Sequence, residues 1–163
     1  MKKTLLIALP LLLILGYSQS VNESTLIKKG KPSLRYLPDS DNPYNGEAHT
    51  NILGEKMFMG TYNSGLRDGL WTGWYDTGKK QFEETFKVGK QDGLKTKWDE
   101  NGQKFEEGNY KDGGKDGIWT RWSSYSGEKI NEKTYRNGEL IDEKCWDFDG
   151  GECECDADIG RCK

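Results

Sequence analysis

Beyond residue 40 the apolar positions fall in short runs that recur in register. Asp68-Gly69, Asp92-Gly93 and Asp116-Gly117 stand 24 residues apart, and each pair is followed five residues later by Trp74, Trp98 or Trp122. A second glycine comes at Gly78, Gly102 and Gly127, the last delayed by one residue within Ser123-Ser124-Tyr125-Ser126. Then follow an aromatic at Phe86, Tyr110 and Tyr135, and a third glycine at Gly89, Gly113 and Gly138. A degenerate first copy runs through Gly46, Gly54, Tyr62 and Gly65. A period of this length marks one supersecondary unit that buries its apolar groups only against its neighbours.

Each unit predicts two short strands joined by a tight turn. Residues 70–75 and 82–86 are rich in β-formers. Asn45-Gly46, Asn101-Gly102, Asn137-Gly138 and the Asp-Gly pairs suit hairpin turns, where positive φ is needed. Strand alternation then sorts the side chains. Leu70, Thr72 and Trp74 share a face with their counterparts Leu94, Thr96, Trp98 and Ile118, Thr120, Trp122. Because this set persists in three units, it is expected to be the buried stripe. In the second strand Phe86, Tyr110 and Tyr135 share parity with Gly60 and Gly108, where an aromatic could lie over bare backbone. The opposite parity carries Glu83, Glu107 and Glu132, read as a solvated face. The expected core is therefore Leu70, Trp74, Phe86, Leu94, Trp98, Tyr110, Ile118, Trp122 and Tyr135. Trp71 and Trp119, with Lys95 at the same place in the middle unit, are expected to point outward as a ligand platform. The fold class is all-β: an elongated, single-layer, twisted antiparallel sheet of hairpin repeats with a short cysteine-rich tail.

The ends add compartment. Lys2 and Lys3 precede an apolar run from Leu5 to Leu15, and Gly16 and Ser18 supply the small residues of a cleavage site. That run is shorter than the ~18 residues a membrane span needs. The expected organisation is a signal peptide over 1–18, an N-terminal extension over 19–43, a four-unit array over 44–140 and a cysteine-rich cap over 141–163. Export places the product in the periplasm or outside the cell. A net charge of −3 argues against a nucleic-acid partner, whose binders concentrate positive charge. All four cysteines, Cys145, Cys153, Cys155 and Cys162, lie in the tail and read as disulfides in an exported chain. Cys153 and Cys155 are too close in a strand to bond each other, so each is expected to take Cys145 or Cys162. The Cys-x-Cys pair makes a poor zinc knuckle, and Asp147-x-Asp149-Gly150 lacks the remaining ligands of a calcium loop. No cofactor or metal is expected.

The pattern Asp68-Gly69-Leu70-Trp71-Thr72-Gly73-Trp74-Tyr75, then Gly78, Glu83, Phe86 and Gly89, resembles the bacterial variant of the MORN repeat. Asp92-Gly93 through Tyr110 repeats it, and the lead-in from Tyr36 to Gly46 is similar as well. The resemblance implies a hairpin array without catalytic residues. It links eukaryotic members to lipid contact and protein scaffolding, and bacterial ones to a YwqK-type antitoxin component. His49 is the single histidine and has no nearby cysteine, which leaves no triad or metal site around it. The expected function is an exported, non-catalytic scaffold that binds a protein partner. The alternatives are an envelope binder of glycan or lipid and an antitoxin or immunity-type inhibitor.

Overall fold

The computed structural model describes residues 20–52, 55–156 and 160–163. The expected signal peptide and Gly54 lie outside them. The strands in chain order are β1 (Val21–Asn22), β2 (Ile27–Lys29), β3 (Leu34–Tyr36), β4 (Gly46–Ile52), β5 (Glu55–Asn63), β6 (Leu66–Trp74) and β7 (Lys80–Lys87). They continue with β8 (Lys90–Trp98), β9 (Lys104–Lys111), β10 (Gly114–Trp122), β11 (Lys129–Arg136), β12 (Glu139–Trp146) and β13 (Glu152–Cys153). From β4 to β13 every strand pairs antiparallel with the next, and β1 adds a parallel edge beside β4, giving a sheet of 11 strands. β2 and β3 form a separate small ribbon.

Turn chemistry sets this meander. The connections β5–β6, β7–β8, β9–β10 and β11–β12 are two-residue turns with positive φ at both positions: Ser64-Gly65, Val88-Gly89, Asp112-Gly113 and Asn137-Gly138. The Asp-Gly pairs are not turns, as their composition had suggested. They lie inside β6, β8 and β10, where the pairing register shifts and Gly69, Gly93 and Gly117 take positive φ. Their aspartates reach the next unit: Asp68 Oδ1 accepts from the Val88 amide at 3.2 Å, and Asp92 Oδ2 from the Asp112 amide at 3.1 Å. Asn45 does the same for Ser64 at 2.7 Å. Alongside, the Gly89 and Gly113 amides each donate 2.8 Å to Arg67 and Gln91 carbonyls. The bulge of one unit thus receives the turn of the following one, which fixes the 24-residue spacing physically.

The buried face is the opposite of the expected one. Trp71 and Trp119 are only 2% and 3% exposed, whereas Leu70, Leu94 and Ile118 are 54%, 48% and 56% exposed. Trp74, Trp98 and Trp122 are half-buried on that exposed side. Each buried indole lies flat over a glycine of the neighbouring strand. A Cβ added at Gly60 would sit 2.1 Å from the Trp71 ring, and one at Gly108 would sit 2.2 Å from Trp119. The indole N–H groups donate to the carbonyls of Thr61 (3.2 Å) and Asn109 (3.0 Å). Tyr62 and Phe86 meet Trp71 edge-on at 5.2 and 6.2 Å, while Tyr110 and Tyr135 meet Trp119 at 5.0 and 6.4 Å. Phe86, Tyr110 and Tyr135 therefore belong to the core face, as expected, but not to the face of Trp74.

The same row of the sheet holds one ion pair between the two indoles and another beyond Trp119. Glu84 meets Lys95 at 2.6 Å, and Lys133 meets Glu143 at 3.1 Å. Lys95 is thus a partner within the core face and not part of a platform. The boundary expected at residue 140 also moves. Trp146 continues the series of Trp74, Trp98 and Trp122, and the turn of Asp147–Gly151 closes with the same backbone bonds as the turn after Tyr75.

The N-terminal segment covers the start of the indole face. Leu26, Tyr44, Ala48, Tyr62 and Trp71 form one buried cluster, and Val21 packs against it. Glu23, with a side chain 12% exposed, accepts from the Tyr62 hydroxyl at 2.6 Å and pairs with Arg35 at 3.3 Å and Arg67 at 3.4 Å. Burial works to raise its pKa, but the Tyr62 hydrogen bond and the charges of Arg67 and Arg35 outweigh this and hold it below the ordinary value.

Three outcomes follow from this packing. In urea unfolding, Trp71→Ala should cost about 3–5 kcal/mol, and Leu94→Ala less than about 1 kcal/mol. Equal losses would refute the burial assignment. Val88 is β-branched at φ 49° and 67% exposed, so Val88→Asn should stabilise the protein by roughly 1 kcal/mol; a lower urea midpoint would contradict this. Because folding lowers the Glu23 pKa, its contribution is full above the unfolded value and is lost as pH falls through the folded one. Glu23→Gln should therefore be less stable at pH 7 and converge with the parent protein in acid; a constant difference would rule this out.

Candidate functional site

The exposed side of the sheet is built from three rows that the period places across every unit. The first is Leu70, Leu94 and Ile118. The second alternates Thr72, Glu83, Thr96, Glu107, Thr120 and Glu132, each directly opposite the next. In the third, Trp74, Trp98 and Trp122 lie opposite Lys80, Lys104 and Lys129. Each of these lysines also leans over the tryptophan of the following unit: Lys80 over Trp98 (5.7 Å), Lys104 over Trp122 (5.0 Å) and Lys129 over Trp146 (4.5 Å). The same three lysines pair with Glu83, Glu107 and Glu132. The recurring glutamates are thus the anions of a charge ladder, which accounts for them without acid–base chemistry. With one tryptophan per two strands, the rings repeat at roughly 10 Å.

At the end of the tryptophan row lie two adjoining cavities of about 290 and 500 Å³. Trp146 and Lys129 line the first, Trp122 and Tyr125 the second, and Ser123, Ser126, Ile130, Phe148 and Arg161 line both. Tyr125 and Phe148 are 98% and 88% exposed. They sit on the turns after β10 and β12; in the first, Ser123, Ser124 and Tyr125 stand where Asp99, Glu100 and Asn101 stand one unit earlier, whereas the second keeps Asp147 and Asp149.

The tail closes the far end of the indole face. Cys145 bonds Cys155 and Cys153 bonds Cys162, with Cα separations of 5.3 and 5.6 Å. Neighbours one residue apart do not bond, as alternation required. The buried Asn131 donates to the Gly160 carbonyl at 2.6 Å, seating the tail on β11. Glu143, Cys145 and Cys155 bring three ligand-type atoms together, but the two sulfurs are bonded to each other and offer no thiolate. Asp147 Oδ1 accepts from the amides of Asp149 (3.0 Å) and Gly151 (2.7 Å), as Asp99 Oδ1 does from Asn101 and Gln103, so its role is that of a turn cap. His49 contacts Ser20 Oγ at 3.0 Å.

The platform expected from Trp71, Lys95 and Trp119 is therefore not at the surface; Trp74, Trp98, Trp122 and Trp146 carry the accessible indoles. The signal that finds them is the unbroken 24-residue recurrence itself. The two disulfides indicate a non-reducing environment. Among the described residues, no helix is long and apolar enough to cross a membrane. No protein-family model matches the chain, and no curated protein matches it.

Non-reducing peptide mapping should recover Cys145–Cys155 and Cys153–Cys162. Each closed loop is expected to contribute about 2–4 kcal/mol. Reduction should raise hydrogen exchange in β12 and β13 while leaving β5 to β9 protected. Four alkylated cysteines without prior reduction would contradict the cap.

Proposed function

We propose that the chain is an exported, non-catalytic binding module of the bacterial MORN-like type that holds a protein partner on its regular face. The observation that carries this reading is the row of Leu70, Leu94 and Ile118, each about half exposed on a hydrogen-bonded sheet. These side chains stand on alternate strands with Thr85, Asn109 and Thr134 opposite them, and a rigid, mixed strip of this kind with apolar anchors and a polar rim suits protein contact. The Thr/Glu row beside it supplies the polar rim. Export by residues 1–18 brings the module to the periplasm or the exterior, where the two disulfides are stable.

The test is retention of envelope and medium proteins on immobilised mature chain, with Leu94→Asp/Ile118→Asp as the comparison. Both positions are exposed, so the variant should fold. A partner held by the parent protein and lost, by about 100-fold in affinity or more, on the variant supports the reading. Partners retained equally by both would overturn it. In the same preparation the mature N-terminus should be Gln19 or Val21; an intact Met1 would remove the export step.

A further inference from the structure

We infer that the cleft between the turns after β10 and β12 is a saccharide site, selective for a sugar chain bearing carboxylates. It does not use the Leu70–Leu94–Ile118 row, so it stands or falls apart from the protein-binding face.

This corner departs from the repeat. In the preceding unit this turn is short and capped by Asp99, whose carboxylate accepts from two amides. The turn after β10 instead has an inserted residue, no acidic group between Ser123 and Gly127, and a tyrosine exposed at 98%. Nothing in the hairpin requires Tyr125 or the equally exposed Phe148, yet both line the larger cavity together with Trp122. Flat apolar rings on an open wall suit the C–H faces of pyranose rings.

The polar lining narrows the ligand. Among the described residues, the larger cavity is lined by Arg121 and Arg161 and by no carboxylate, while Glu128 and Asp147 line the smaller cavity that shares Arg161. This is an electropositive spot in a chain of net charge −3. Guanidinium groups bind carboxylates through paired, planar hydrogen bonds. Serine hydroxyls both donate and accept, which suits sugar hydroxyls. Guanidinium groups pair with phosphate as well, but the backbone-amide nest that phosphate sites add is largely spent within this turn. The Tyr125 and Ser126 amides donate to Ser123 Oγ, Gly127 to the Ser123 carbonyl and Glu128 to Ser126 Oγ. The loop is further fixed by Gln103 Nε2, which donates to the Ser123 carbonyl at 3.1 Å. The site is preformed, which lowers the ordering cost of binding. The direction of the chain is given by Trp98, Trp122 and Trp146, whose roughly 10 Å repeat is close to the length of a disaccharide in an extended β-1,4-linked glycan.

The test is titration of the mature, disulfide-bonded protein with a β-1,4-linked mannuronate hexasaccharide and, separately, with neutral cellohexaose and with ATP, followed by tryptophan fluorescence. The acidic sugar should bind at least about tenfold more tightly than the neutral one. Arg161→Gln should abolish that preference, and Tyr125→Ala/Phe148→Ala should weaken both sugars by about tenfold. The substituted side chains are exposed, so unchanged thermal unfolding will confirm intact variants. Equal binding of acidic and neutral sugar, no binding of either up to millimolar concentration, insensitivity to these substitutions, or tighter binding of ATP would each overturn the proposal.

Discussion

An indole laid on bare backbone is the contact on which this molecule depends. A single-layer sheet has no second layer to bury its side chains, so it must find burial within one face. Trp71 over Gly60 and Trp119 over Gly108 do this by removing the Cβ from one strand and filling its place with a ring from the next. Edge-on tyrosine and phenylalanine rings close the sides, and Arg67 and Lys115 lie across the top at 4.1 Å from the ring centres. Each cluster amounts to a small core several strands wide, and the ends of the indole face are shielded by chain: residues 20–26 at the start and the disulfide-bonded tail at the finish. Glu23 ties the first shield to Tyr62, Arg35 and Arg67, while Asn131 ties the second to Gly160.

The two faces follow different periods. Across the indole face, the row from Gly60 runs Trp71, Glu84, Lys95, Gly108, Trp119, Lys133 and Glu143, so a glycine–tryptophan pair alternates with an ion pair and the pattern repeats only every two units. Two indoles in successive units would compete for the space that Phe86 and Lys95 now occupy. The opposite face repeats in every unit, because its leucine and tryptophan rows, with the buried Thr72 and Thr96 between them, meet the same neighbours at the same sheet spacing each time. Packing sets the first period. Turn docking through Asp68 and Asp92 sets the second.

This difference explains what could be read from the chain alone. Hairpin units, the exclusion of a Cys153–Cys155 bond and the place of Phe86, Tyr110 and Tyr135 near glycine all follow from local rules of alternation and turn chemistry, whereas the choice between Cys145 and Cys162 as partners did not. The identity of the buried face did not, since recurrence in every unit marks a core only where a second layer covers it. In a single layer, recurrence marks the side where nothing has to be accommodated. The informative signal was the covariation of position 60 with 71, 84 with 95 and 108 with 119: glycine where its partner is tryptophan, glutamate where it is lysine. The Asp-Gly pairs misled for a related reason. Positive φ is shared by turns and bulges, and only the pairing register separates them. The terminal cleft was legible solely as an irregularity, the residue inserted before Gly127.

If the glycine–tryptophan contact is the unit of stability, its two residues must be exchangeable together and not singly. The direct measurement is a double-mutant cycle by urea unfolding on Gly108→Glu and Trp119→Lys, which installs the pair found at Glu84 and Lys95. Each single change should be severely destabilising, and the double variant should recover a coupling of about 2 kcal/mol or more. Strictly additive losses would mean that the indoles are not held by the glycines beneath them, and the account of the buried face would be wrong.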